Sequence, residues 1–371
     1  MERYHDISIR EICADGRPRL EECPNENLFA SMDFGELYCY PSAERVLFVE
    51  NESGAIIEKF LYRKRPLGVF FTELQGIGPI DPQGELLIRL LLGQPASVVS
   101  IPFNGPDGLP RLRRGWLKQN FRQTAEDTCI DLPKSTHEYL QSLGAKTRKH
   151  LPYYVRRLQR EWREEWRFEP QYGQEISRKL YDKIFELNHM RMDAKGKRSG
   201  WTDALKGHRW ALFQKRGLFC SLSFRGRLVG GTLSLIHNNE AYLIVIAHDP
   251  QFDRLNLGSV SLWLTIEHLI ESGYRRYHLM WGSSFYKEQF GGKTQPLYTL
   301  TLFSNPLAAL FWYAANSYLP TRSLDILKRV EAQRSSKPSK ERHASPEQRA
   351  GDSMTRPVDR RRDESQGIGI V

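Results

Sequence analysis

The chain has 371 residues, which is room for two domains and a tail but too many for one small module. Hydrophobic residues make up 40% and aromatic ones 11%, which excludes a chain too polar to build a core. The 54 Lys and Arg outnumber the 44 Asp and Glu by ten; this favours an anionic partner such as a phosphate, a nucleic acid or a membrane surface, and excludes no class of enzyme.

The five cysteines (Cys13, Cys23, Cys39, Cys129 and Cys220) are odd in number and sparse, and none sits in a CxxC or a Cys/His pair with zinc-ligand spacing. Reduced thiols and no bound metal are expected. Met1 to Arg10 lacks an apolar signal core, and the most apolar later stretch, Pro306 to Leu319, holds only about 14 residues, below the length of a membrane span. A cytoplasmic protein without a transmembrane segment is expected, with that stretch as a packed terminal helix.

In chain order, Arg45 to Glu50 and Ala55 to Tyr62 are β-branched runs joined by Asn51-Glu52-Ser53-Gly54, which predicts a hairpin. A loop with Gly76, Gly78, Pro79 and Pro82 follows, then a Leu-rich stretch of helical length (Glu85 to Leu92) and a strand over Ala96 to Ile101. The order is β, β, α, β. It returns in the second half: Leu218 to Phe224 and Leu228 to Ile236 flank a turn at Arg225-Gly226-Arg227, and Asn238-Asn239 leads into Ala241 to Ala247. These are three antiparallel strands. A helix is then predicted from near Gly258 to a cap at Gly273, followed by a strand over Arg276 to Trp281.

Between the halves, Ser135 to Trp166 has helical spacing. Six cations (Lys146, Arg148, Lys149, Arg156, Arg157 and Arg160) occur there with no acid among them, beside Tyr153, Tyr154 and Trp162. The segment reads either as a solvated helix face or as an anion-binding face with aromatic support. From about Glu331 the sequence turns to Ser, Pro, Arg and Glu, a composition that predicts a disordered tail.

Gly258 opens a helix directly after three strands, and a helix N-terminus offers unpaired N–H groups and a positive dipole end to a phosphate. The loop holds neither a Walker pattern nor GxGxxG, and neither Ser283 nor Ser284 sits in GxSxG. The run Ala241 to Asp253, then Leu257-Gly258, then Trp281-Gly282 and Phe285-Tyr286-Lys287-Glu288-Gln289-Phe290-Gly291-Gly292, resembles the acyltransferase domain of the GNAT superfamily. More narrowly it is similar to the CelD-like and FemAB-like branch. Gly144 to His150 and Leu187 to Gly196, with His189, match that branch as well, so the resemblance covers roughly 130 to 300, with the N-terminal half as a degenerate first unit.

The resemblance implies an α/β (α+β) fold of two GNAT-like units, each a mixed, largely antiparallel sheet flanked by helices. The expected boundaries are 1–134, a basic connecting helix at 135–166, a catalytic unit at 167–322 and a tail at 323–371. The implied activity is transfer of an acyl group from acetyl-CoA or another acyl-CoA to an amine or hydroxyl, with a sugar- or phosphate-containing acceptor, such as a polysaccharide or cell-envelope precursor, in view. Amides of Asn256, Leu257, Gly258 and Ser259 would hold the CoA pyrophosphate, and a backbone N–H near Val245 would polarise the thioester. Tyr286 would protonate the leaving thiolate. Lys287 would bind the acceptor, together with Arg148, Lys149 and His189. His248 is placed with the catalytic group, while Glu240, Asp249, Asp253, His189 and His278 are further candidates for a base. Two alternatives stand beside this reading: a FemAB-type ligase that takes its donor from aminoacyl-tRNA, and a non-catalytic scaffold that binds nucleic acid or another anion.

Overall fold

A computed structural model describes residues 119–281 and 284–303 continuously, together with Leu28, Leu307, Ala309, Leu310 and five strands nearer the N-terminus. The helix expected over Glu85 to Leu92, the terminal helix over Pro306 to Leu319 and the tail lie outside the described residues, apart from those three near 307–310. The chain divides into one compact unit of residues 1–305 with 369–371 and a second of 306–368; all the elements named below belong to the first.

The N-terminal strands are β1 (Ser8–Cys13), β2 (Arg45–Glu50), β3 (Ile56–Arg65), β4 (Val69–Phe71) and β5 (Val98–Asn104). The hairpin read from the sequence is present: β2 and β3 pair antiparallel, with Arg45 opposite Tyr62. Next come β6 (Gln119–Asp131), the helices α1 (Thr136–Ser142) and α2 (Ala145–Trp162), and β7 (Trp166–Tyr172). The chain continues through α3 (Arg178–Asp193), α4 (Asp203–Arg216), β8 (Gly217–Phe224), β9 (Arg227–His237) and β10 (Glu240–His248). It closes with α5 (Leu257–Glu271), β11 (Arg276–Trp281), α6 (Phe285–Gln289) and β12 (Lys293–Phe303).

Among the described residues, twelve strands form one mixed sheet in the order β1-β2-β3-β4-β5-β12-β6-β11-β10-β9-β8-β7. Each half contributes a parallel pair, β4 with β5 and β10 with β11. Strand β12 reaches back to pair antiparallel with both β5 and β6, and β6 is in turn held by β11, which makes the sheet continuous between the halves.

Local chemistry explains the turns. The β8–β9 hairpin has Arg225 at φ 51° and Gly226 at φ 73°, the two left-handed residues that match the twist of flanking strands. Helix α5 ends as its sequence predicts: Gly273 sits at φ 80°, its N–H bonds to Ile270 O, and the N–H of Tyr274 bonds to Leu269 O, a paired arrangement that satisfies the last carbonyls.

Both faces of the sheet are covered. On the first, α2 and α5 bury Leu158, Trp162, Leu262 and Ile266 against Leu222, Leu243 and Leu279. On the second, α3 and α4 bury Tyr181, Phe185 and Phe213 against Phe219, Tyr242 and Val245. The side chains of β10 therefore alternate between the two cores, which is how one strand presents chemistry to both faces.

Candidate active site

Strands β10 and β11 pair for only three residues, Glu240–Tyr242 against Arg276–His278. Beyond Tyr242 the two part. A bulge between Leu243 and Val245 adds one residue, Ile244, to β10 and shifts the phase of everything after it. The N–H of Asp249 bonds to Val229 O at 2.8 Å, and the register with β9 is unbroken from Val245 to His248. By alternation the N–H groups of Val245 and Ala247 also point to β9, whereas Ile246 points its N–H and C=O into the gap. Arg191 of α3 confirms this phase by donating from Nη1 to Ile246 O. The strand donor aimed at the gap is thus the N–H of Ile246, one residue past Val245.

At the end of β10 the chain makes a 3-10 turn over Pro250–Leu255 and enters α5 through Asn256, which is left-handed (φ 55°, ψ 39°) and makes no side-chain cap. The first helical bond runs from Val260 N–H to Asn256 O, so the amides of Leu257, Gly258 and Ser259 precede the ladder. His248 flanks them. Its Nε2 lies 2.7 Å from Asp253 Oδ1, while its Nδ1 is buried without a partner among the described residues. Burial is the main cause that holds the His248 pKa below the usual histidine value, Arg191 and Lys195 add to it, and Asp253 opposes it.

The two cations come from α3 and the turn after it. The Lys195 ammonium titrates below its ordinary value, chiefly because of Arg191, with burial and Lys197 adding and Asp253 opposing. Positive groups crowded near a helix N-terminus make a cradle suited to a phosphate. Arg191 lies in the last turn of α3 and Lys195 in the turn that follows, whereas the sequence motif points to His189.

Tyr286 and Lys287 stand on α6, the short helix that follows β11. Tyr286 is half-buried against the first core, which raises its phenol pKa against the opposing influence of Arg191 and Ser284. Lys287 is buried and donates from Nζ to Met280 O at 2.9 Å. Burial brings its ammonium down to about 8, against the pull of Asp127. Met280 adopts φ 61°, a conformation that costs a non-glycine residue on the order of 1–3 kcal/mol and persists where surrounding contacts demand it.

The remaining candidates separate by position. Asp249 is fully buried, paired with Arg227 at 2.7 Å and bonded to the N–H of Gln251, so it is a turn residue and not a free base. Glu240 and His278 belong to a buried node: His278 Nδ1 lies 2.7 Å from Asp127 Oδ2, its Nε2 3.3 Å from Glu240 Oε2, and Tyr242 stacks on its ring at 4.4 Å. His189 is half-buried on α3, where its charge is felt by Asp203. On α2, Arg148 bonds Gln141 of α1 at 2.8 Å and Lys149 is exposed. Arg157 bonds both Glu161 and the carbonyl of Arg254, which ties α2 to the turn before α5.

Among the described residues no cluster of His, Cys, Asp and Glu is arranged to hold a metal ion, and no helix is long and apolar enough to cross a membrane. Residues 145–288 match the family described as an acetyltransferase (GNAT) domain. The chain carries a GNAT transferase domain. No curated protein sequence matches the chain. The fold is similar to that of FemX, whose crystal structure superposes with a TM-score of 0.58 at 12% identity, covering 77% of this chain and 95% of FemX. The structure of L-PGS from Bacillus licheniformis is similar at a TM-score of 0.46 and 12% identity, covering 67% of this chain and 81% of that one. A tandem GNAT protein from the clavulanic acid biosynthesis pathway gives 0.38 at 11% identity, covering 71% and 81%. In the GNAT domain of this chain, the gap between β10 and β11, the start of α5 and helix α6 come from the matched segment 145–288.

Proposed function

We propose that the chain transfers an acyl group from acyl-CoA to an amine or hydroxyl acceptor in the gap between β10 and β11. The observation that carries this reading is the parting of the two strands after Tyr242, which leaves the N–H of Ile246 aimed at a gap; Tyr286, on the helix after β11, feels the charge of Arg191, which bonds Ile246 O. A thioester carbonyl in that gap takes the Ile246 N–H as its oxyanion donor, a term worth about 3–4 kcal/mol in acyl transfer. The acceptor attacks the carbonyl carbon, the C–S bond breaks, the Tyr286 hydroxyl gives its proton to the departing thiolate, and the proton that the acceptor loses passes through water and restores the tyrosine hydroxyl. Burial raises its pKa, so the hydroxyl carries its proton at neutral pH.

The donor's pyrophosphate rests on the amides of Leu257, Gly258 and Ser259, with Arg191 and Lys195 beside it. His248 belongs with that cradle: it stands two strand residues past Ile246, about 7 Å along the chain at strand rise, at the phosphate end rather than the thioester end. Lys287 binds the acceptor. Incubation with acetyl-CoA and a panel of amines and amino sugars, followed by mass spectrometry, tests this reading; acylated product that depends on Tyr286 supports it, and no acylation of any acceptor counts against it.

A second reading takes the donor from aminoacyl-tRNA. It draws on the exposed cations of α2 (Lys146, Lys149, Arg156 and Arg160) and on the likeness of fold to FemX. Under it, replacing these residues weakens tRNA binding and flattens its salt dependence.

A further inference from the structure

Helix α2 carries charge that neither the transfer step nor the fold uses. No acid occurs from Ala145 to Arg160, and the six cations there sort into two groups. Arg148 bonds Gln141, and Arg157 bonds Glu161 and the carbonyl of Arg254, so these two hold α2 to its surroundings. Lys146, Lys149, Arg156 and Arg160 are exposed and make no ion pair among the described residues. At the helical period these four and Tyr153 fall within about 80° of one face, and from Lys146 to Arg160 the stripe runs about 21 Å. The face points outward, because Leu151, Leu158 and Trp162 on the other side of α2 are buried in the first core. Tyr153 stands in the middle of the stripe, 45% exposed, with its ring 6.0 Å from that of Tyr154, which packs on the first core. Of the three acids that follow, Glu161 is taken up by Arg157 and Arg254, and Glu165 by Arg225, so neither of these two neutralises the stripe.

We propose that this stripe docks the chain on the surface of a bilayer that contains anionic phospholipid, as a peripheral contact with the headgroups. A row of cations on an outward ridge meets a plane of negative charge along its whole length, so all four reach headgroups at once. An RNA duplex is a poorer match: it curves away from a helix lying on its outside, and its major groove is too narrow and deep to receive one. Tyr153 suits the same plane, since an amphipathic ring is at home at headgroup level. The stripe holds no large aliphatic side chain, so the contact stops at the headgroups and does not enter the hydrocarbon. The inference does not depend on acyl-CoA as the donor, and it gives the cations of α2 a different partner from the tRNA of the second reading.

The test is cosedimentation of the full chain with two kinds of vesicle, phosphatidylcholine alone and phosphatidylcholine mixed with phosphatidylglycerol. Binding to the mixed vesicles alone, weakened as salt is added, is the expected result. Each cation at such a surface is worth about fivefold in partitioning, so changing Lys146, Lys149, Arg156 and Arg160 together to alanine should lower it by about 10²–10³-fold. Placement is separated from net charge by two double variants that each remove two exposed cations: Lys149→Ala with Arg156→Ala on the stripe, and Lys179→Ala with Arg275→Ala away from it. The first should lose about 30-fold and the second far less. These doubles carry the test if the fourfold variant does not fold. Equal losses in the two doubles overturn the proposal, as does a failure of the wild-type chain to bind mixed vesicles at low salt. Bulk tRNA held through the same four residues, at a salt concentration that releases the mixed vesicles, also overturns it and hands the stripe to RNA.

Discussion

A Cβ placed on residue 258 would lie 3.2 Å from Nδ1 of His248, so the first turn of α5 meets the end of β10 at close range. The residue that the sequence singles out for the helix start thus also packs directly against His248.

Gly258→Ala tests that relationship. The added methyl must push the His248 ring by a few tenths of an ångström, while alanine favours the helix by up to about 1 kcal/mol. The melting temperature should stay level or rise, while the dissociation constant for acyl-CoA increases about tenfold, the scale of one disturbed charge-assisted hydrogen bond. Unchanged donor affinity would show that the His248 side of the α5 terminus takes no part in binding.

Tyr286→Phe removes a hydroxyl and little else. As the thiolate's acid, Tyr286 should matter to kcat by about 10²–10⁴-fold while acyl-CoA binding stays as it was. Steady-state rates beside equilibrium binding separate the two. Equal losses in both would make Tyr286 a packing residue of the first core, against which its ring already rests.

His278 gives a stability prediction with a definite sign. Its pKa is raised in the folded state, so the stabilisation is complete below the unfolded value near 6.5 and is lost as pH rises through the folded midpoint. The gap in melting temperature between wild type and His278→Gln should be widest near pH 6 and narrow as the pH rises through the folded midpoint. The variant should fold poorly at neutral pH, because removing one member of a buried pair costs about 3–5 kcal/mol.

Trp162 links the basic helix to the cradle by packing rather than by charge. Its ring stacks on Phe224 at 4.3 Å and meets Phe252, in the turn before α5, edge-on at 5.2 Å. Trp162→Ala should cost about 3–5 kcal/mol in denaturant unfolding. A loss below about 1 kcal/mol would mean that the turn before α5 is held by the Arg157, Glu161 and Arg254 bonds alone.

Strands β8 to β10 and helix α5 are legible because each carries its own signal: Arg225-Gly226 and Asn238-Asn239 for the turns, an apolar run with Gly258 and Gly273 at its ends for α5. Strand β6 is not. It reads Gln-Asn-Phe-Arg-Gln-Thr-Ala-Glu-Asp-Thr-Cys-Ile-Asp, too polar for a strand taken alone, and it is stable because β11 and β12 pair with it on both sides. The same long-range pairing hides Asp127, since no local pattern announces that it will meet a histidine 151 residues away. The strand N–H that faces the gap falls one residue from Val245 because the extra residue of a bulge leaves no trace in a run of apolar side chains. His189 stands out in the sequence and Arg191 does not, because the motif marks the stretch and not the face of α3 that turns to the gap.

The proposed chemistry requires that the gap between β10 and β11, with the α5 terminus at its end, receive an acyl-CoA. Calorimetric titration of the full chain with acetyl-CoA is the decisive measurement. Saturable binding at one site, weakened at high salt and by Arg191→Ala with Lys195→Ala, is the expected result. Absence of any binding heat or thermal stabilisation up to about millimolar acyl-CoA would contradict it.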